Sequence, residues 1–290
     1  MLGQFDNTLQ QLFGLPYLYM SRDFNIHSRC RYLLYKLRRL RSKNLSVLDV
    51  GCGAGMTLRH LATLEPQKIS RYVGIDLAAE RLRSRYSDIR DIEFDFHNVN
   101  LDHPWNFGEF DVIWCSEVIE HLMDDSGQLE KIGRALKPEG MALITTPSLD
   151  FVQHMGSSFP PILKTSQIQD GGHVRHGYRL EDMMRLATDA GLLVNSIDGV
   201  TCLTLAETER RYTKQGLGWI MNNIAMSWSS RGKQDFALGN AFRNQPERFA
   251  SICAELTKPN TLRSMKPKPE AMAPTSPAKQ NQPIDAAIAS

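Results

Sequence analysis

Two short stretches carry side chains that can do chemistry together. In S-E-V-I-E-H-L, Glu117, Glu120 and His121 stand at offsets of zero, three and four, a spacing that puts them on one face if the segment is helical. In G-G-H-V-R-H-G-Y, His173 and His176 bracket Arg175. Glu117, Glu120, His121 and His173 offer the mixed oxygen and imidazole ligands that suit Mg²⁺, Mn²⁺ or Zn²⁺. A cation held there fixes a diol and lowers the pKa of an attacking hydroxyl. Without a cation, His121 or His173 can act as the base beside Glu117, and a third reading gives the histidines only the task of ordering the loop. His176 is expected to orient that loop or a substrate, and Arg175 to meet a substrate anion.

These groups need a scaffold, and V-L-D-V-G-C-G-A-G-M-T-L begins it. Val47, Leu48 and Val50 read as a buried strand, Gly51, Cys52, Gly53 and Gly55 as the turn after it, and Met56 as the start of a helix, which asks for a nucleotide-like ligand. The glycines are spaced G-x-G-x-G, not the G-x-G-x-x-G of dinucleotide-binding proteins, which argues against a nicotinamide dehydrogenase. Further strands are predicted at R-Y-V-G-I-D, ending in Asp76, and at I-E-F-D-F, F-D-V-I-W-C and G-M-A-L-I-T-T, with helices between them. That alternation means a parallel sheet covered on both faces. The glycine turn, Asp76, Ser116 and Glu117 then converge at the carboxyl ends of the strands, where such sheets bind ligands. Asp198-Gly199, inside alternating apolar residues, predicts a tight hairpin that supplies the last strands.

Composition sets outer limits. A chain of 290 residues with 42% apolar residues and a formal charge of +2 can bury a sizeable core, and its charge names no partner. The five cysteines are scattered without C-x-x-C spacing, so they suggest neither a disulfide framework nor a zinc site, and a reducing cytoplasm is the simplest location. The opening residues lack the basic start and apolar run of a secretory leader, and no stretch is apolar enough to span a membrane. Residues 24–43 read as a helix with Leu33, Leu34, Leu37 and Leu40 on its apolar face. Its bases (Arg29, Arg31, Lys36, Arg38, Arg39, Arg41 and Lys43) read as a solvated surface more than a phosphate-binding one. A helical pattern returns over residues 206–228, where Tyr212, Trp219, Met221, Met226 and Trp228 could wall a pocket or simply pack. From Lys258 the chain is rich in Pro, Ala, Ser and Lys and is expected to be disordered.

The glycine turn, Asp76 and F-D-V-I-W-C-S-E-V-I-E-H-L, in that order, resemble the class I S-adenosylmethionine-dependent methyltransferases over about residues 46–197. The resemblance implies an α/β, Rossmann-like fold: a mostly parallel seven-stranded sheet with helices on both faces and helical additions at both ends. The corresponding organisation is a helical cap over residues 1–45, a cofactor-binding core over 46–205, a helical addition that covers substrate over 206–257 and a tail over 258–290. Phe13, Tyr17 and Tyr19 would be lid residues.

The same resemblance assigns roles. Asp49 and the turn of Gly51, Cys52, Gly53 and Gly55 would approach the methionine part of S-adenosylmethionine, glycine letting the backbone come close. Asp76 would accept from both ribose hydroxyls, Leu77 would pack on the adenine, and Ser116 and Glu117 would complete the site. Asn98, with Asp95 as the alternative, would contact the adenine amino group, which an amide oxygen can accept. E-x-x-E-H followed by a later His is similar to the O-methyltransferases of ubiquinone biosynthesis and to small-RNA 2′-O-methyltransferases, so oxygen is the expected acceptor. Transfer would be an in-line displacement in which the protein aligns the reactants and removes a proton. A small molecule or glycan-type hydroxyl is the expected substrate. RNA 2′-O-methylation is the alternative, disfavoured by the small net charge and the lack of a recognisable RNA-binding module. A non-catalytic binding protein is the other alternative, against which the intact Gly51, Gly53, Gly55 and Asp76 argue.

Overall fold

The computed structural model describes residues 24–155, 172–202 and 236–259. Within them, β1 (Leu45–Val50) and β4 (Phe110–Ser116) form the centre of one sheet because both of their faces are apolar. Leu48, Val50, Ile113 and Cys115 enter one core, and Val47, Val112 and Trp114 enter the other, as the two-residue period of a strand requires. β2 (Ile69–Asp76) pairs in parallel with β1, β3 (Glu93–Asn98) with β2, and β5 (Leu136–Pro147) with β4. β8 (Phe249–Thr257) runs antiparallel between β5 and β6 (Leu193–Cys202), and the two-residue β7 (Phe236–Ala237) closes the edge. The order is β3-β2-β1-β4-β5-β8-β6-β7, so the expected seven-stranded, mostly parallel sheet is present with one short strand added.

Helices cover both faces. On one, α1 (Phe24–Arg39), α2 (Met56–Leu64) and α3 (Leu82–Arg85) bury Leu33, Leu37, Leu58, Leu61 and Leu82. On the other, α4 (Asp125–Ala135) and α6 (Leu180–Asp189) bury Leu129, Ile132, Met183 and Leu186, joined by Phe242 of the short α7 (Asn240–Arg243). Between them in sequence, α5 (Leu149–Met155) follows β5 and packs on β8. The strand order reverses between β1 and β4, the point at whose carboxyl strand ends sheets of this kind bind ligands.

Two expectations about the carboxyl-terminal part are corrected. Asp198-Gly199 does not turn: β6 runs straight through it as one strand. Asp198 is buried because its carboxylate is fully engaged, accepting from Tyr32 at 2.6 Å, Lys36 at 3.0 Å, Ser196 at 3.1 Å and the Gly239 amide at 2.8 Å. Gly199 leaves room for Phe242 and Phe249, whose rings would lie 2.5 Å from an added Cβ. The stretch read as a helical addition also contributes β7, α7 and β8, the last lying inside the sheet. The core therefore extends to Thr257. Phe13, Tyr17, Tyr19, the helical pattern of residues 206–228 and the tail from residue 260 lie outside the described residues.

Candidate functional site

The glycine turn follows β1 directly. Gly51, Gly53 and Gly55 have φ of 71°, 52° and 72°, conformations that other L-residues adopt only with strain. A side chain at Gly51 would also strike Val118, 2.3 Å from its Cγ2. The amides of Gly51 and Cys52 both bond the Ile75 carbonyl, at 2.8 and 3.1 Å, which ties the turn to the end of β2. There Asp76 accepts the Gly53 amide at 2.9 Å, and half-buried Leu77 follows it. Asn98 pairs with Asp76 across the sheet, so it stands at the same carboxyl edge, whereas Asp95 lies deeper along β3 and pairs with Arg83 and His97.

At the end of β4 the chain enters a strained corner. Glu117 has φ 55°, uncommon for a non-glycine residue and concentrated at functional sites. Its amide bonds the Thr145 carbonyl at 2.9 Å, and its carboxylate accepts from Thr145 Oγ1 at 3.1 Å. Thr145 has one hydroxyl proton, so Ser116, 2.9 Å away, must donate to it. A single 3₁₀ turn, Ile119–His121, then buries Glu120. Glu120 Oε2 accepts from Thr146 at 3.2 Å, while the fully buried Oε1 has no hydrogen-bond partner among the described residues. Burial, reinforced by the nearby Glu117 charge, pushes the Glu120 carboxyl well above its ordinary range.

The loop before α6 folds back onto this corner. The amides of Val174 and Arg175 bond the Glu120 carbonyl at 2.9 and 3.3 Å, bringing the His173 ring within 4.6 Å of the His121 ring. His121 Nδ1 lies 3.0 Å from the Gly172 carbonyl. A carbonyl only accepts, so Nδ1 carries a proton, and Nε2 faces Glu120 Oε1 at 3.8 Å. Burial and the neighbouring histidines lower the pKa of His173, favouring a neutral ring with a lone pair. One ligand atom each from Glu120, His121 and His173 falls within 4.8 Å of the other two.

A family model described as a methyltransferase domain matches residues 24–197. The chain belongs to that family. As an S-adenosylmethionine-dependent methyltransferase it is similar to the ubiquinone biosynthesis O-methyltransferase of Neisseria meningitidis, 26% identical over 168 residues that make up 56% of this chain and 69% of the relative. A relative of the same description from Thiobacillus denitrificans is 26% identical over 187 residues, 60% of this chain and 76% of that one. In fold, the methyltransferase is similar to a chain of the solved complex between the Haloferax volcanii Trm112 methyltransferase activator and a methyltransferase, with TM-score 0.50 and 20% identity, covering 82% of this chain and 91% of that one.

The methyltransferase fold gathers the sequence-predicted residues unevenly. Gly51, Gly53, Gly55, Asp76, Leu77 and Asn98 share the carboxyl edge, but Asn98 already exchanges two hydrogen bonds with Glu80, at 3.0 and 3.1 Å. Cys52 turns its thiol inward toward Gly74 and presents only backbone. Glu117 does not share a helical face with Glu120 and His121, because its positive φ breaks the helix, and it stands apart from the three clustered ligand atoms. Arg175 does not wait for an anion: its guanidinium bonds the carbonyls of Ile119, Leu122 and Met123 at 3.3, 2.5 and 3.1 Å and pairs with Asp125 at 3.4 Å. It is the clasp that holds the His173 loop to the 3₁₀ turn. Sequence reading missed Arg29, placed among the solvated bases, whose Nη1 lies 3.8 Å from Glu117 Oε2 with a side chain only 12% exposed. Its position four residues before Leu33, on the packed face of α1, was the available signal.

Asp49 lies inside the fold rather than at the carboxyl edge. It is buried, accepts from Tyr72 at 2.5 Å and also bonds Thr57; burial dominates and lifts its pKa to about 7, with a smaller push from Asp76. The folded protein thus keeps a proton that the unfolded chain releases near pH 4, so stability falls as pH rises from about 4 to 7, by on the order of 1 kcal/mol per pH unit. Asp49→Asn is expected to flatten the urea-unfolding free energy by that slope across that window. Parallel wild-type and variant curves would refute the shift.

Proposed function

We propose that the protein transfers the methyl group of S-adenosylmethionine to a hydroxyl oxygen of a small molecule carrying two adjacent hydroxyls, such as a catechol. The observation that carries this reading is the buried Glu120 Oε1, which has no hydrogen-bond partner among the described residues and faces His121 Nε2 beside His173. An orphaned buried carboxylate oxygen is costly unless a ligand completes it, and one carboxylate with two imidazoles fits a divalent cation. Glu120, His121 and His173 would hold Mg²⁺, Mn²⁺ or Zn²⁺, and Glu117 stays with the cofactor. Once bound, the cation would polarise the substrate hydroxyl as a Lewis acid. The O-methyltransferase descriptions of the relatives support oxygen as the acceptor.

The remaining work belongs to the chain. The glycine turn, Asp76, Leu77 and Asn98 would seat the cofactor, Asp76 accepting from the ribose hydroxyls. Glu117 and Arg29, a carboxylate and a guanidinium 3.8 Å apart, complement the ammonium and carboxylate at the amino-acid end of S-adenosylmethionine. S-adenosylmethionine brings a sulfonium already activated for displacement, so alignment and proton removal are what remain. His173, whose lowered pKa favours the neutral ring, or His121 can accept the hydroxyl proton at a ring nitrogen where no cation occupies it. The five free thiols suit a reducing compartment and support a cytoplasmic enzyme, and no helix among the described residues is long and apolar enough to cross a membrane.

The test is transfer of a labelled methyl group from S-adenosylmethionine into cell extract, separated into small molecules, glycans and RNA, with and without chelator. Label in small molecules that chelator abolishes is the expected result. Chelator-insensitive label lost in His173→Ala would assign that imidazole as the base. Label in RNA would overturn the small-molecule reading.

A further inference from the structure

We propose that Tyr86 is a positioning residue that fixes the glycine turn from behind and thereby sets the affinity for S-adenosylmethionine; this rests on the reading that the turn receives the cofactor. The peptide joining Ala54 and Gly55 is anchored at both of its polar ends. The Tyr86 hydroxyl donates to the Ala54 carbonyl at 2.6 Å, and the Gly55 amide donates to the Cys52 carbonyl at 2.8 Å. A planar peptide held on both sides cannot rotate without losing both bonds, so the turn is presented in one conformation. The same ring lies directly against Gly55, where an added Cβ would come within 2.6 Å of it.

Tyr86 is itself braced. Its ring stacks on Phe96 with centroids 5.9 Å apart, and the Arg59 guanidinium lies 5.0 Å over it. Asp88 grips that guanidinium through two bonds of 2.6 and 2.9 Å. Arg59 belongs to α2, the helix the turn opens, and Tyr86 follows α3, so the brace joins the segments that follow β1 and β2 on the cofactor side. Packing alone would not need the hydroxyl, since Phe fills the same volume. Burial raises the phenol pKa, so the group remains a donor through the neutral range.

Removing the hydroxyl separates affinity from stability. Ala54 is exposed, so water can take over its carbonyl and the fold loses little. The loss falls on the order of the turn, which binding must then restore. The experiment is calorimetric titration of the full chain with S-adenosylhomocysteine for wild type, Tyr86→Phe and Asp76→Ala, with hydrogen exchange of the peptide covering residues 51–58 in the free protein. Tyr86→Phe is expected to weaken binding about three- to tenfold, the worth of one hydrogen bond. Exchange in the turn should quicken while the melting temperature stays within a few degrees of wild type. Unchanged affinity in Tyr86→Phe alongside a large loss in Asp76→Ala would overturn this proposal and leave the cofactor reading standing. Wild-type protein that binds no S-adenosylhomocysteine would remove the cofactor reading, and this proposal with it.

Discussion

Asp76→Ala is expected to weaken S-adenosylmethionine binding about 100-fold, measured by calorimetry, with the melting temperature nearly unchanged. The carboxylate sits at the last residue of β2 and is only half-buried, so the core does not depend on it. Its hydrogen bond to the Gly53 amide puts the charge at the lip of the turn, where two vicinal ribose hydroxyls can donate to its two oxygens. Each hydrogen bond to a charged group contributes about 1.5–3 kcal/mol, and two of them amount to about two decades of affinity or more. Asp76→Asn keeps one acceptor oxygen and loses the charge, so it should fall between the two proteins. Undiminished binding in Asp76→Ala would show that the ribose contact lies elsewhere, and a loss matched by a collapse in melting temperature would make the residue structural.

The part of the fold that binds cofactor was legible because its strands are buried on both faces. V-L-D-V, R-Y-V-G-I-D and F-D-V-I-W-C are dense in large apolar residues, and each is followed by a turn or an acid at its carboxyl end. β8 is equally central, yet Ser251, Cys253 and Ala254 are small and Glu255 is charged, so its apolar signal is diluted. Its place comes from satisfying β5 and β6 at once, a pairing that local pattern does not encode. Asp198-Gly199 has the composition of a hairpin but lies in a straight strand, because Tyr32 and Lys36, more than 150 residues earlier, supply the partners its carboxylate needs. The same distance hid the roles of those two residues: on α1 alone, Lys36 looks like another solvated base.

The site shows the same division. E-x-x-E-H drew attention to Glu117, Glu120 and His121 but suggested the wrong geometry, since helical spacing presumes helical backbone and Glu117 takes a positive φ. That corner swings Glu117 toward Arg29, and leaves Glu120 and His121 for the His173 loop. Arg175 was visible as a charge, but its use of three backbone carbonyls follows from a 3₁₀ turn whose carbonyls point outward, which spacing could not reveal.

Glu120→Gln is expected to lower kcat/KM about 100-fold or more and to strip divalent metal from the dialysed protein, while its melting temperature in chelator holds or rises relative to wild type in chelator. Glutamine preserves the volume and one oxygen, so the Thr146 hydroxyl keeps its acceptor, and the Glu120 carbonyl that anchors Val174 and Arg175 is untouched. What disappears is the one carboxylate of the three-residue cluster, leaving two imidazoles to hold a cation. Loss of a Lewis acid costs several kcal/mol of transition-state stabilisation, and 100-fold corresponds to about 2.7 kcal/mol. Stability should move the other way, because an unpaired buried carboxylate opposes folding in the metal-free protein and an amide opposes it less. His173→Ala should also lose metal, since it removes a ligand from the opposite loop, whereas Glu117→Gln should retain it and instead weaken cofactor binding. If Glu120→Gln kept both its metal content and its rate, the carboxylate would be a structural peg beneath the loop and the catechol-like acceptor would lose its support; if it kept metal but lost rate, the ligand set would have to be sought around Glu117 instead.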